Sequence, residues 1–139
     1  MKYLLDTNVV SELMRRAPDS GVEAKFDVHR DECVICAITW HELHYGVARL
    51  TSSRRRDLYE EFLNTVVGVR PPLPYEARAA EWHAAERARL EAAGRSIPPA
   101  DGQIAAIAAV NGLTLVTRNS ADFRGLKGLK IQRWHERGE

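Results

Sequence analysis

Three carboxylates, Asp6, Glu42 and Asp101, occupy positions from which acidic side chains can cooperate in chemistry. Asp6 closes the apolar start of the chain, in Leu-Leu-Asp-Thr-Asn. Glu42 lies in the first turn of the helix expected after the apolar run Cys33 to Ile38, and Asp101 opens the helix expected after Pro98 and Pro99. A fourth group, Asn119 and Asp122, follows the apolar run Leu113 to Thr117. Carboxylates gathered at one edge of a sheet repel one another and hold their protons more tightly unless a cation joins them. Hard oxygen donors without His or Cys suit Mg²⁺ or Mn²⁺. Such an ion orients water and offsets the charge of a phosphodiester under in-line attack.

Each group also has a purely structural reading. Asp6 can cap the helix that follows it. Thr39-x-x-Glu42 fits a capping box. Asp101 can complement a helix dipole, and Asn119 with Asp122 suits a turn. Other chemistries lack their residues: there is no Gly-x-Ser-x-Gly, no phosphate loop and no dinucleotide fingerprint. His41-Glu42-Leu43-His44 resembles a zinc-protease signature, but its histidines are three apart where that signature needs four. His29, His83 and His135 stand alone and read as surface residues.

The elements that must position these groups alternate between short apolar runs and helical patterns. Lys2 to Leu5 reads as a strand, Asn8 to Arg16 and Gly21 to His29 as helices, and Cys33 to Ile38 as a strand. Helices are expected from Thr39 to about Leu50 and from Ser52 to Val67. Gly68, Pro71, Pro72 and Pro74 then break the chain. A long helix from Tyr75 to Ala93 stops at Gly94, and another from Ala100 to Asn111 stops at Gly112. Leu113 to Thr117 is a strand, Asn119 to Gly128 a loop or short turn, and Lys130 to Trp134 a last strand. The alternation implies an α/β fold whose mostly parallel sheet is covered on both faces. Ligands of such sheets bind beyond the carboxyl ends of the strands, where the acids stand.

The 139 residues read as one domain, 1–139, able to bury a core without disulfides. Net charge is +1, so there is no global basic signature, yet 16 of the 20 basic residues are Arg. Arginine is the better bidentate phosphate binder, and Arg54, Arg55 and Arg56 form one cluster, Arg15 and Arg16 another. Solvation of the surface is the alternative reading of those runs. Cys33 and Cys36 are three apart in a strand-like run, so their sulfurs face opposite sides and cannot share a metal; they read as buried thiols. The carboxylate at Asp6 comes too early for a signal-peptide apolar region, and no apolar run is long enough to span a bilayer. A cytoplasmic protein is expected.

In its acidic pattern the chain resembles the PIN-domain nucleases, most closely the VapC and FitB-like toxins of toxin–antitoxin pairs. The matching text is Leu5-Asp6-Thr7-Asn8-Val9-Val10-Ser11-Glu12-Leu13, then Thr39 to Gly46, then Pro99 to Ala106, then Leu115 to Phe123. The four motifs run in order over nearly the whole chain. The resemblance implies a three-layer α/β/α PIN domain and Mg²⁺- or Mn²⁺-dependent RNA cleavage, with Asp6, Glu42 and Asp101 as the acidic triad. Many relatives carry a fourth acid where this chain has Asn119; here Asn119 offers a neutral oxygen, and Asp122 either supplies the charge or braces the turn. The resemblance further implies a homodimer and an antitoxin partner that carries the DNA-binding part, so DNA is contacted only indirectly. Arg118, beside the fourth motif, and Arg54, Arg55 and Arg56 are the candidates for holding the RNA backbone.

Three rival readings make different demands. A non-catalytic PIN-like binding module is expected to lack one of the three acids. A phospho-receiver domain needs paired acids after the first strand, where Val9 and Val10 follow Asp6. A flap-type DNA nuclease needs an inserted arch for which this chain has no room.

Overall fold

The computed structural model describes residues 1–137. Four short strands form the sheet: β1 (Tyr3–Leu5), β2 (Cys33–Val34), β3 (Thr114–Val116) and β4 (Lys130–Gln132). All pairings are parallel, in the order β2-β1-β3-β4. The helices are α1 (Thr7–Leu13), α2 (Ser20–His29), α3 (Ala37–Ala48), α4 (Arg54–Phe62), α5 (Ala77–Ala92), α6 (Pro99–Val110) and α7 (Ser120–Phe123). A 3₁₀ turn, Arg30–Glu32, leads into β2, and α4 ends in a wider π-type stretch, Leu63–Val67.

Strand residues alternate between two cores because successive side chains face opposite ways. Tyr3, Leu5, Cys33 and Val116 pack with Val9, Val10, Val22, Leu43, Val47 and Leu63, buried positions of α1 to α3 and of the stretch after α4. Leu4, Val34 and Leu115 pack on the other face with Leu90, Ile104, Ile107 and Phe123 from α5, α6 and α7. The result is the three-layer α/β/α arrangement with a parallel sheet expected from the alternation. Cys33 and Cys36 fall into different cores, both as free buried thiols, as their spacing requires. Burial pushes the Cys33 thiol up to about 12, which leaves it inert.

Local chemistry sets the element ends. Asp19 caps α2 by accepting from the N–H groups of Gly21 and Val22. Pro99 starts α6, where its missing N–H is no loss. Gly94 and Gly112, both at positive φ, stop α5 and α6. Several boundaries differ from the sequence reading: α1 stops at Leu13 and not Arg16, β4 stops at Gln132 and not Trp134, and the helix expected from Ser52 to Val67 is regular only over Arg54–Phe62. The strand expected over Cys33–Ile38 ends at Val34, because the backbone after it turns to Leu73, whose N–H donates to Ile35 O and whose carbonyl accepts from Ala37. The region expected as a loop or short turn after Asn119 contains α7. Among the described residues, no helix is long and apolar enough to cross a membrane.

The histidines also correct the surface reading. His135 is buried, with Nε2 3.6 Å from Glu12 Oε1. His29 pairs with Glu32 at 2.9 Å, and His83 Nδ1 meets the Tyr75 hydroxyl at 3.1 Å. After β4 the chain runs back along α2 and is tied down by the buried Asp19 carboxylate, which accepts from Glu136 N at 3.0 Å and Arg137 N at 2.9 Å.

Candidate active site

Strand order reverses between β1, which leads to β2 on one side, and β3 on the other. At such a switch point the chains leaving the two strands diverge and open a crevice. Asp6 sits there, immediately after β1, with its N–H on Val116 O of β3 at 2.9 Å. It also caps α1: Oδ1 accepts from Thr7 N at 2.8 Å. Its Oδ2 accepts from the Thr117 hydroxyl at 2.8 Å and from Asn8 Nδ2 at 3.3 Å. Asp6 is thus the N-cap of α1 and at the same time stands at the switch point.

Glu42 reaches the same crevice from α3, where its Oε1 accepts from the Thr7 hydroxyl at 2.6 Å. The capping-box reading fails here. The helix begins at Ala37, two residues before Thr39, and Thr39 is fully buried inside it with its hydroxyl 3.2 Å from that of Thr7. Asp101 enters from the first turn of α6. Asp6, Glu42, Asp101 and Asn119 line one open cleft of about 690 Å³. Asp122 does not line it, although its charge reaches Asp101.

The carboxylates influence one another. Burial raises the Asp6 pKa, and the neighbouring Glu42 charge adds to that, against the hydrogen bonds from Thr117, Thr7 and Asn8. Asp101 is pushed up to about 6, first by burial and then by the charges of Asp6, Glu42 and Asp122. Among the described residues, no three His, Cys, Asp or Glu side chains already form a closed metal cluster. The donor set still fits Mg²⁺, an ion that keeps several waters and is commonly held by one or two carboxylates.

The cleft is also lined by four arginines, Arg15, Arg49, Arg55 and Arg118. Arg118 is fixed by its neighbours, since its N–H donates to Asn8 Oδ1 at 3.0 Å and its carbonyl accepts from Arg133. The cluster Arg54 to Arg56 is split by helical geometry, because consecutive residues of α4 point about 100° apart. Arg55 faces the cleft; Arg54 lines a neighbouring hollow with Leu58 and Phe62. Arg56 pairs with Glu60 at 3.1 Å and caps Leu50 O. Sequence reasoning missed the supporting roles of Thr7, Asn8 and Thr117, and missed Arg49 altogether. The first two lie inside the first motif, beside Asp6, where a polar pair at a strand end was the available signal.

The residue after Asp101 is closely packed. This residue, Gly102, is buried against His83 of α5, and a Cβ at 102 would collide with the imidazole.

A parallel α/β/α sheet with carboxylates at its switch point defines a protein built to present acids to a ligand at the strand ends. The PIN domain family model matches residues 3–129, and the chain belongs to that family. It is 35% identical over 134 residues to VapC ribonuclease Y4jK of Sinorhizobium fredii, with 92% of this chain and 94% of that protein covered. It is 33% identical to Toxin FitB of Neisseria gonorrhoeae, covering 96% and 99%. It is 31% identical to the tRNA(fMet)-specific endonuclease VapC of Shigella flexneri, covering 96% and 98%. Among solved structures, FitAB bound to an IR36 DNA fragment superposes with a TM-score of 0.85 at 30% identity, over 99% of each chain. DNA-bound VapBC from Salmonella typhimurium gives 0.83 at 28% identity, over 96% of this chain and 98% of that one.

Proposed function

We propose that this protein is a Mg²⁺- or Mn²⁺-dependent endoribonuclease, the toxin of a toxin–antitoxin pair. The observation that carries the reading is one cleft lined both by the carboxylates Asp6, Glu42 and Asp101 and by the arginines Arg15, Arg49, Arg55 and Arg118. A phosphodiester needs both: cations for its phosphates, and a centre that activates water. The named relatives support RNA as the substrate.

Asp6 and Asp101 are assigned as the main ligands of the ion, with Asn119 offering a neutral oxygen. The ion, when bound, supplies the charge that offsets the developing phosphorane and lowers the pKa of water. Glu42, held by the Thr7 hydroxyl, joins the ion directly or through water and helps orient the attacking water. Thr7, Asn8 and Thr117 fix the carboxylates that would otherwise swing apart. The arginines bind backbone phosphates. Asp122 tunes Asp101 by its charge.

The partner reading follows the neighbours, which include toxin–antitoxin complexes on DNA. The family resemblance adds to it a homodimer, DNA contacted only through a small antitoxin, and RNA met in the cytoplasm. All three acids are present, which favours catalysis over a binding module that has lost it.

The test is side-by-side incubation of RNA and DNA with the pure protein, in Mg²⁺ and in EDTA, with bacterial growth followed on expression. Cleavage of RNA alone, lost in EDTA, and growth arrest relieved by co-expressing a cognate antitoxin are expected. RNA left intact in Mg²⁺ and Mn²⁺ would overturn the reading. Arg55 gives a finer expectation. Arg55→Ala removes one phosphate contact, so the slope of log affinity against log salt for single-stranded RNA should flatten by about 0.7. Arg54→Ala, outside the cleft, should leave the slope unchanged.

A further inference from the structure

We propose that Glu12 and His135 form a proton-linked pair behind the cleft: when an RNA phosphate draws Arg15 off Glu12, His135 takes up a proton and pairs with Glu12 in its place. This rests on the ribonuclease reading and deepens it. Glu12 lies in α1, and its side chain is 6% exposed. Its two oxygens have different duties. Oε2 accepts from the Asp19 N–H at 2.9 Å, a backbone bond that fixes the carboxylate. Oε1 accepts from Arg15 Nη1 at 3.4 Å. Arg15 is 59% exposed and lines the cleft, so a phosphate there can reach it.

His135 stands on the other side of Oε1. Its side chain is 3% exposed, and its Nε2 is 3.6 Å from Glu12 Oε1. Among the described residues, neither ring nitrogen has a hydrogen-bond partner. Buried polar atoms are nearly always paired, and 3.6 Å is too long for a hydrogen bond. A shift of about 0.7 Å brings Nε2 to the roughly 2.9 Å of a charge-assisted bond. Burial holds the ring of the free protein below the ordinary histidine range. The charges that face it pull both ways: Glu12 of α1 and Asp19 before α2 favour the imidazolium, while Arg118 after β3 and Arg133 after β4 oppose it. Asp19 is already committed to four backbone N–H groups. Glu136 and Arg137, next along the chain, turn to Ser20 and to Asp19. Glu12 Oε1 is the acceptor within the ring's reach.

Arg15 and His135 therefore compete for one oxygen. While Arg15 holds it, a second cation beside it is disfavoured and the ring stays neutral. A phosphate in the cleft offers Arg15 a stronger, bidentate partner. Once Arg15 turns to it, Glu12 is a buried carboxylate without its cation, a strongly unfavourable state. A proton from solvent on His135 restores the pair, and the charge gained behind the cleft adds to the attraction for the RNA backbone. Binding thus takes up a proton, and RNA affinity rises as pH falls.

The test follows the His135 ring by NMR against pH, in EDTA. The full-length protein is observed alone and with a short single-stranded RNA, beside Arg15→Ala, Arg16→Ala and Glu12→Gln. The His135 pKa should rise by about 1 in the RNA complex, and by a similar amount in free Arg15→Ala, where Glu12 has lost its cation; an opposite charge within about 4–6 Å has at least that effect. Arg16→Ala, which does not line the cleft, should leave the pKa at the parent's value. Glu12→Gln should lower it and abolish the response to RNA. Arg15 is exposed, so its loss tests the pair even where Glu12→Gln fails to fold. Affinity gives a second readout: from about pH 7.5 to 5.5 the parent should gain up to about tenfold more on the same RNA than Arg15→Ala does, the same rise read as a binding constant. Asp101 titrates in that window in both proteins, so the comparison removes it. A His135 pKa that is equal in the free parent, the complex and Arg15→Ala overturns the pair, even in an enzyme that cleaves RNA. The same shifts in a protein that binds RNA and never cleaves it in Mg²⁺ would sink the nuclease reading and leave the pair standing.

Discussion

Asp101→Asn should abolish cleavage and leave the metal-free protein as stable as the parent, or more so. The loss of activity should be at least about 100-fold, since even a residue behind a metal ligand is worth 10- to 100-fold. The stability gain follows from the site's electrostatics. The Asp101 pKa stands raised to about 6 by burial and by the charges of Asp6, Glu42 and Asp122. A group whose pKa is higher folded than unfolded contributes stability below its unfolded value, and that contribution is lost as pH rises through the folded value. Between about pH 4 and pH 6 the metal-free parent should therefore lose stability relative to Asp101→Asn. Water screens this half-exposed group, so the difference should be on the order of 1 kcal/mol. His83 and His135 act in the opposite sense in part of this window, because burial lowers their pKa values. Comparing the two proteins cancels them. Added Mg²⁺ should then separate the two: with a dissociation constant of about 1 mM, roughly 10 mM Mg²⁺ contributes about 1.4 kcal/mol. That is on the order of 5 °C in Tm, and the variant should gain much less. Melting curves in EDTA and in Mg²⁺ check this. If Asp101→Asn melts well below the parent in EDTA, the acid is a structural cap and not a member of a repelling cluster.

Asp19→Ala should be the most damaging change outside the cleft. Its carboxylate is 1% exposed and accepts from four backbone N–H groups: Gly21 and Val22 at the start of α2, and Glu136 and Arg137 of the returning segment. Burial alone would raise its pKa; the four donors outweigh it and hold the group well below the usual carboxylate range. Alanine removes a helix cap and strands buried donors at once. The expected loss is about 3–5 kcal/mol, or on the order of 10 °C or more in Tm. Asp19→Asn keeps the shape and should lose less. The sign of the pH dependence is opposite to that of Asp101. A depressed pKa contributes stability that is present above the ordinary carboxylate range and lost as pH falls below it. Chemical denaturation at neutral and acid pH should show the parent–Asn difference shrinking toward low pH. A constant difference would mean that the charge of Asp19 plays no part.

The layered fold was legible because parallel strands buried on both faces write themselves as short apolar runs, and because Gly94, Pro99 and Gly112 punctuate the helices. The edge of β2 was not legible. Cys33 to Ile38 is apolar throughout, and an apolar run looks the same whether it ends a strand or begins a buried helix. The crevice itself followed from the rule that ligands bind beyond strand ends, which took Asp6, Glu42 and Asp101 to one place. The arginines of the cleft did not follow from a count of arginines. Arg54, Arg55 and Arg56 are adjacent in sequence, but a helix turns each by about 100°, so only Arg55 meets the cleft. Applying that phase to α4 would have selected one residue of the three. His135 was misread because a lone histidine near the surface-rich end of a chain carries no mark of the segment that packs over it.

The contact between Gly102 and His83 has an evolutionary consequence. The two positions are 19 residues apart, on different helices, yet the imidazole occupies the volume that any side chain at 102 would need. Substitution at 102 alone forces the imidazole out of its place and breaks its bond to the Tyr75 hydroxyl. The same substitution becomes tolerable once His83 has shrunk. In lineages of this fold, positions 83 and 102 should therefore drift as a pair, with the loss of the ring preceding the gain at the glycine.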